Sequence, residues 1–168
     1  MRASRTLSLL LLVSVYGAWA MSAASGAPRL FLLNPSEAAQ LRLGADERPP
    51  GPILRGPSAG PRIVVYKPAV TQTAEGSVIE TTPSTSFVIS FEPNGAPVNM
   101  DSLEIKARKG LFSVSLTSRL KPYIHGTDLQ ADAVSVPEGR FVIQIEVADS
   151  AGVRTVETYR LEVRPLGS

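Results

Sequence analysis

The chain has 168 residues, with 17 Lys and Arg against 15 Asp and Glu, 14 Pro, 13 Gly, one His and no Cys. Without Arg2 and Arg5, which fall in the first five positions, the charge balance is 15 against 15, and so neutral a body excludes a nucleic-acid footprint and a polybasic membrane patch. The lack of Cys excludes disulfides, thiolate zinc sites and lipid attachment to a new N-terminal Cys, so stability must come from an apolar core.

The chain opens on a short basic start, Met1–Arg2–Ala3–Ser4–Arg5. Leu7 to Val15 is apolar apart from Ser8 and Ser14, and Ala18–Trp19–Ala20 closes it with a small-x-small pattern. This predicts a signal peptide over 1–20, a mature chain beginning near Met21, and a periplasmic or secreted location in a bacterial setting. Ala24 offers a second cut. The apolar run is short for a membrane span, which takes roughly 20 residues. Membrane contact is therefore expected only through an uncleaved signal anchor.

Residues 21–61 read as a flexible or extended arm. Within it, Asn34–Pro35–Ser36–Glu37 supplies an N-cap, a first-turn proline and an acid at the third helical position, which predicts a short helix over 35–42. The competing reading makes Leu30–Leu33 and Leu41–Leu43 edge strands around a turn. Pro49, Pro50, Pro52, Pro57 and Pro61 then bar a regular helix or an inner strand. Such an arm can dock on a partner or join an open sheet edge as an added strand.

Residues 62–164 form the folded unit, followed by a tail, 165–168. Arg62 to Tyr66 is a β-branched run ended by Lys67–Pro68, and Ser77 to Glu80 is a short strand. Phe87, Ile89 and Phe91 alternate with Val88, Ser90 and Glu92, the period of a strand with one face on a core. Leu103, Ile105 and Ala107 alternate with Glu104, Lys106 and Arg108, and Val114 and Leu116 with Ser113, Ser115 and Thr117. Phe141, Ile143, Ile145 and Val147 give the longest alternation. Asp149–Ser150–Ala151–Gly152 then turns the chain into Thr155–Val163, whose inward residues are Tyr159, Leu161 and Val163. Glu146 and Arg160 are candidate cross-strand partners. One-faced strands without an amphipathic helix to cover them imply two sheets packed together; a small barrel is the runner-up.

The stretch Pro137–Glu138–Gly139–Arg140–Phe141–Val142–Ile143–Gln144–Ile145–Glu146–Val147–Ala148–Asp149–Ser150–Ala151–Gly152 resembles the penultimate strand and hairpin of bacterial immunoglobulin-like, cadherin-like and fibronectin-type modules. The resemblance covers about thirty residues well. With the strand rhythm, it implies an all-β, immunoglobulin-like sandwich of about seven antiparallel strands with a Pro-rich N-terminal arm. Such modules serve as spacers, adhesion units, carbohydrate-binding units or accessory parts of envelope proteins, and the fold does not choose among these roles.

Candidate sites are few. A catalytic reading would pair His125 with Asp128 and a hydroxyl at Ser118 or Thr127, but the spacing shows no such arrangement. One His without Cys cannot hold zinc. Asp101, Glu92, Asn94, Asp149 and Glu162 are the oxygen donors available for calcium, without a dense acidic loop to gather them, and Asp149 reads as the acceptor in its own turn. Gly51, Gly56 and Gly60 sit among prolines and form no phosphate loop. Platforms for sugar would have to come from Tyr66, Tyr123 and Tyr159. The best contact face is Arg119, Lys121, Tyr123 and His125, in an irregular connection able to present side chains. The expectation is a non-enzymatic structural or protein-interaction module, without a cofactor, whose partner is an envelope protein. A carbohydrate- or calcium-binding accessory module is the alternative.

Overall fold

The computed structural model describes residues 29–44, 47 and 59–165. The signal segment expected over 1–20, the arm's first residues to 28, most of the Pro-rich stretch and residues 166–168 lie outside the described residues. In chain order the elements are β1 (Leu30–Phe31), α1 (Pro35–Leu41), β2 (Arg62–Lys67), β3 (Val70–Thr73), β4 (Gly76–Thr81), β5 (Ser84–Glu92) and β6 (Val98–Lys109). There follow β7 (Phe112–Ser115), α2 (Thr117–Leu120), a 3-10 turn (Lys121–Tyr123), β8 (Ile124–His125), β9 (Asp128–Ser135), β10 (Gly139–Asp149) and β11 (Arg154–Val163).

Each alternation becomes one face of a sheet. The first sheet runs β1-β9-β5-β2, with β8 also on β9; the second runs β3-β4-β11-β10-β6-β7. Phe87, Ile89, Phe91, Leu129 and Ala131 of the first sheet meet Leu103, Ile105, Phe141, Ile143, Ile145, Tyr159 and Leu161 of the second in one buried cluster. Phe91 and Phe141 are wholly enclosed, and each such side chain stabilises the fold by roughly 1.5–3 kcal/mol relative to exposure.

Both sheets are mixed, so the expectation of about seven antiparallel strands is corrected. Among the described residues there are eleven strands, and β1 pairs with β9, and β4 with β11, in parallel. Alternation fixes which side chains face inward but carries no strand direction. Directions came instead from distant segments laid on the sheet, as when β4 runs beside β11 from Ser77↔Tyr159 to Thr81↔Val163. The register also separates Glu146 from Arg160: Arg160 stands opposite Val142, and Glu146 opposite Val156.

Residues 29–44 pack on the domain. β1 lies along β9, and the Leu32 N–H donates to the Ser135 carbonyl at 2.9 Å. α1 starts with a reciprocal cap: Glu37 N–H donates to Asn34 Oδ1 at 2.8 Å, and Asn34 N–H to Glu37 Oε2 at 2.9 Å. This satisfies two of the donors a helix start leaves unpaired. Leu32, Leu33, Ala38 and Leu41 are buried in the same cluster as both sheets. Of the two uses expected for the arm, strand addition is the one realised at Leu30–Phe31.

The end of the sandwich opposite α1 is closed by the β10–β11 hairpin. Asp149 is 3% exposed, and its Oδ1 accepts from the N–H groups of Ala151 (2.9 Å) and Val153 (2.8 Å). Gly152 takes the positive φ of +81° that the turn needs. Gly60 passes so close that a Cβ there would lie 2.8 Å from Thr155 Oγ1 and 2.9 Å from the Val153 carbonyl. Only glycine lets the chain enter β2 along this path.

Among the described residues no helix is long and apolar enough to cross a membrane. The expected membrane contact through an uncleaved signal anchor is withdrawn on that finding; the segment on which it fell lies outside the described residues.

Candidate functional site

Arg119, first of the four expected contact residues, is spent inside the molecule. From α2 its guanidinium reaches Glu37 of α1 in a two-pronged pair, at 2.6 and 2.7 Å, and also donates to the Leu32 carbonyl at 2.7 Å. The planar fork matches a carboxylate in this geometry. Hydrogen bonding to Arg119 holds the Glu37 carboxyl below its ordinary value, burial opposing, and the same pair raises Arg119. Arg119 therefore ties the N-terminal segment to the domain. Lys121 is exposed in the 3-10 turn, Tyr123 is half-buried against the core, and His125 is exposed on β8.

His125 and Asp128 are neighbours across the β8–β9 hairpin, and Ser90 of β5 lies on the other side of Asp128. The row reads Ser90–Asp128–His125. A nucleophilic triad needs the histidine between hydroxyl and carboxylate, so that the imidazole can take the proton and the acid can orient it. Here the acid is in the middle, and no hydrogen bond joins the three side chains among the described residues. Ser118 and Thr127 are exposed and add no such bond. The described residues assemble no nucleophile with its base.

The groups needed by a ligand site are likewise dispersed. Tyr66 is on β2 at one side of the first sheet, and Tyr123 and His125 are at the other, with β5 and β9 between. Tyr159 is buried; its hydroxyl donates to Glu157, and burial first, then that carboxylate, pushes its pKa up. Glu92 pairs with Arg62, Glu162 with Arg160 and Arg164, and Asp149 with its own turn. Among the described residues no group of three or more His, Cys, Asp or Glu could hold a metal ion. A cavity of about 30 Å³ between the sheets is lined by core side chains, including Leu32, Ile105, Leu129 and Ile145. Its room is that of a few waters at most, and apolar cavities of this kind stay dry.

The two outer faces of the sandwich differ sharply in charge. On the second sheet Glu104 pairs with Lys106 (2.8 Å), Glu146 with Arg154 (2.7 Å), and Arg160 with Glu75 (2.6 Å); Arg108 donates to Gln144. Val142, though outward, is only 3% exposed between Arg108 and Arg160, whose aliphatic stems flank it across both neighbouring strands. This face is charged, and most of its charges are paired. On the first sheet the centre of the outer face is uncharged: Val64 and Tyr66 on β2, Val88 and Ser90 on β5, Gln130 on β9. Tyr66 is 59% exposed. It sits at the irregularity where Val65 pairs with Ile89 and Lys67 with Val88. Charges flank this centre: Arg62 and Lys67 on β2, Glu92 at the end of β5 opposite Arg62, and Asp128 and Asp132 on β9. Sequence reasoning passed over the face. Its signal was two valines, Val64 and Val88, standing in the half of an alternation that solvent normally makes polar.

The class defined by these features is a β-sandwich of two mixed sheets. No family model matches the chain, and no curated protein matches it. Among solved structures it is similar to CopC from Methylosinus trichosporium OB3b, at 16% identity and TM-score 0.37, over 64% of this chain and 97% of that one. It is also similar to murine CRIg, at 9% identity and TM-score 0.35, over 61% of this chain and 98% of that one. At these values neither likeness carries an argument about function.

Proposed function

We propose that this protein is a protein-interaction module of the bacterial periplasm or exterior, and that it meets an envelope partner through the outer face of the first sheet. The observation that carries the reading is the uncharged centre formed by Val64, Tyr66, Val88, Ser90 and Gln130, set beside a second sheet whose charges are mostly paired. Interface cores are depleted in charge and enriched in aromatic residues, with polar groups at the rim. His125, cross-strand from Asp128, lies at the margin of the same face. The basic-start, apolar-run and small-x-small pattern of residues 1–20 supports the location.

The test is capture of the partner by cross-linking and mass spectrometry with the native chain and with Val88→Lys. A charge on the central strand should abolish a capture that the native chain makes, while thermal unfolding stays within a few degrees. Equal capture by both proteins would remove this face from the interaction. Specific glycan binding by the native chain, with no protein captured, would favour the accessory ligand-binding module instead.

A further inference from the structure

We propose that the outer face of the first sheet docks a second copy of this chain, about a two-fold axis parallel to the strands. The inference rests on the reading above, that this face is an interaction surface, and names its occupant. Across β2, β5 and β9 the face changes sign. Arg62, which pairs with Glu92 at the end of β5, and Lys67 lie on β2, uncharged Val88 and Ser90 fill the middle of β5, and Asp128 and Asp132 lie on β9. Rotating a copy by 180° about an axis along the strands, in the plane of contact, reverses this order. The basic β2 of one protomer then lies over the acidic β9 of its partner, and the reciprocal contact follows by symmetry.

The same rotation leaves heights along the strands unchanged. β5 therefore lies over the partner's β5, bringing Val88 onto Val88 and Ser90 onto Ser90. Tyr66 and Lys67, level with Val88 and Gln130 in the register, fall over the partner's Gln130, between its Asp128 and Asp132. A two-fold axis perpendicular to the strands would instead set β2 over an antiparallel β2, with Arg62 of each protomer against Lys67 of the other. Like charges so placed oppose docking. The charge order thus selects one orientation of the copy. Aligned sheets pack about 10 Å apart. A face of three strands is small for an interface, which puts the dimer among weak, salt-sensitive associations.

Sedimentation of the purified full chain over a wide concentration range tests this. A monomer–dimer equilibrium is expected, weakened by salt. Lys67→Glu alone and Asp128→Lys alone should each weaken it about tenfold, since each change enters twice across a two-fold interface. The double variant should recover most of the loss, and Lys106→Glu on the second sheet should leave the equilibrium unchanged. Thermal unfolding of each variant confirms that it is folded. A chain that stays monomeric at all concentrations, or a double variant no better than the singles, overturns the proposal. If that happens while Val88→Lys still abolishes capture of another protein, the interaction face stands and only its occupant is wrong. If Val88→Lys changes neither readout, both fail.

Discussion

At the scale of single residues, Arg119 shows how a surface-looking side chain can be structural. It reads as a loop cation in the sequence, yet it holds Glu37 and the Leu32 carbonyl across more than eighty residues of chain. Replacing it by Met removes charge-assisted hydrogen bonds to a largely covered carboxylate, and should cost about 2 kcal/mol in chemical denaturation. The pH dependence has a definite sign. Because Arg119 lowers Glu37 below its ordinary value of 4.5, the unfolded chain binds the proton more readily. The pair's contribution is complete above pH 4.5 and is lost as pH falls through the lowered value. Native protein should therefore lose stability through that window more steeply than Arg119→Met. Equal slopes would mean that the pair is absent in solution.

At the scale of elements, the N-terminal segment decides the architecture. Its helix was legible because capping is local: Asn34, Pro35 and Glu37 each have a role fixed by the first turn of a helix. Its destination was not legible. Leu32, Leu33, Ala38 and Leu41 are too few and too irregularly spaced to signal burial, and what encloses them comes from strands far along the chain. Leu41→Ala should cost about 3 kcal/mol, the range for a leucine removed from a packed core. A loss near 0.5 kcal/mol or less, as for ordinary surface sites, would mean that the segment is a loose appendage. The β10–β11 hairpin was legible in both strands and turn, since its alternation is long and its loop carries Asp149 and Gly152. The parallel pairs were not, because no short turn joins β1 to β9 or β4 to β11.

For the whole molecule, the two outer faces differ in how their charges are arranged. The second sheet pairs its charges within and between strands, which leaves a partner little to hold. The first sheet keeps its charges at the margins, Glu92 at the end of β5 among them, and leaves valines, a tyrosine and small polar groups at the centre. Sequence reasoning reached the sandwich because inward faces repeat with period two. It passed over the uncharged centre of the first sheet because that surface exists only when β2, β5 and β9 are laid side by side, and no two of them are adjacent in the chain. The most direct measurement uses two glutamines on opposite outer faces, Gln130 and Gln144, each replaced in turn by a photoreactive residue in living cells. Specific adducts from position 130 and none from position 144 are the predicted result. Adducts from position 144 alone, equal adducts from both, or none from either would contradict an interaction surface on the first sheet.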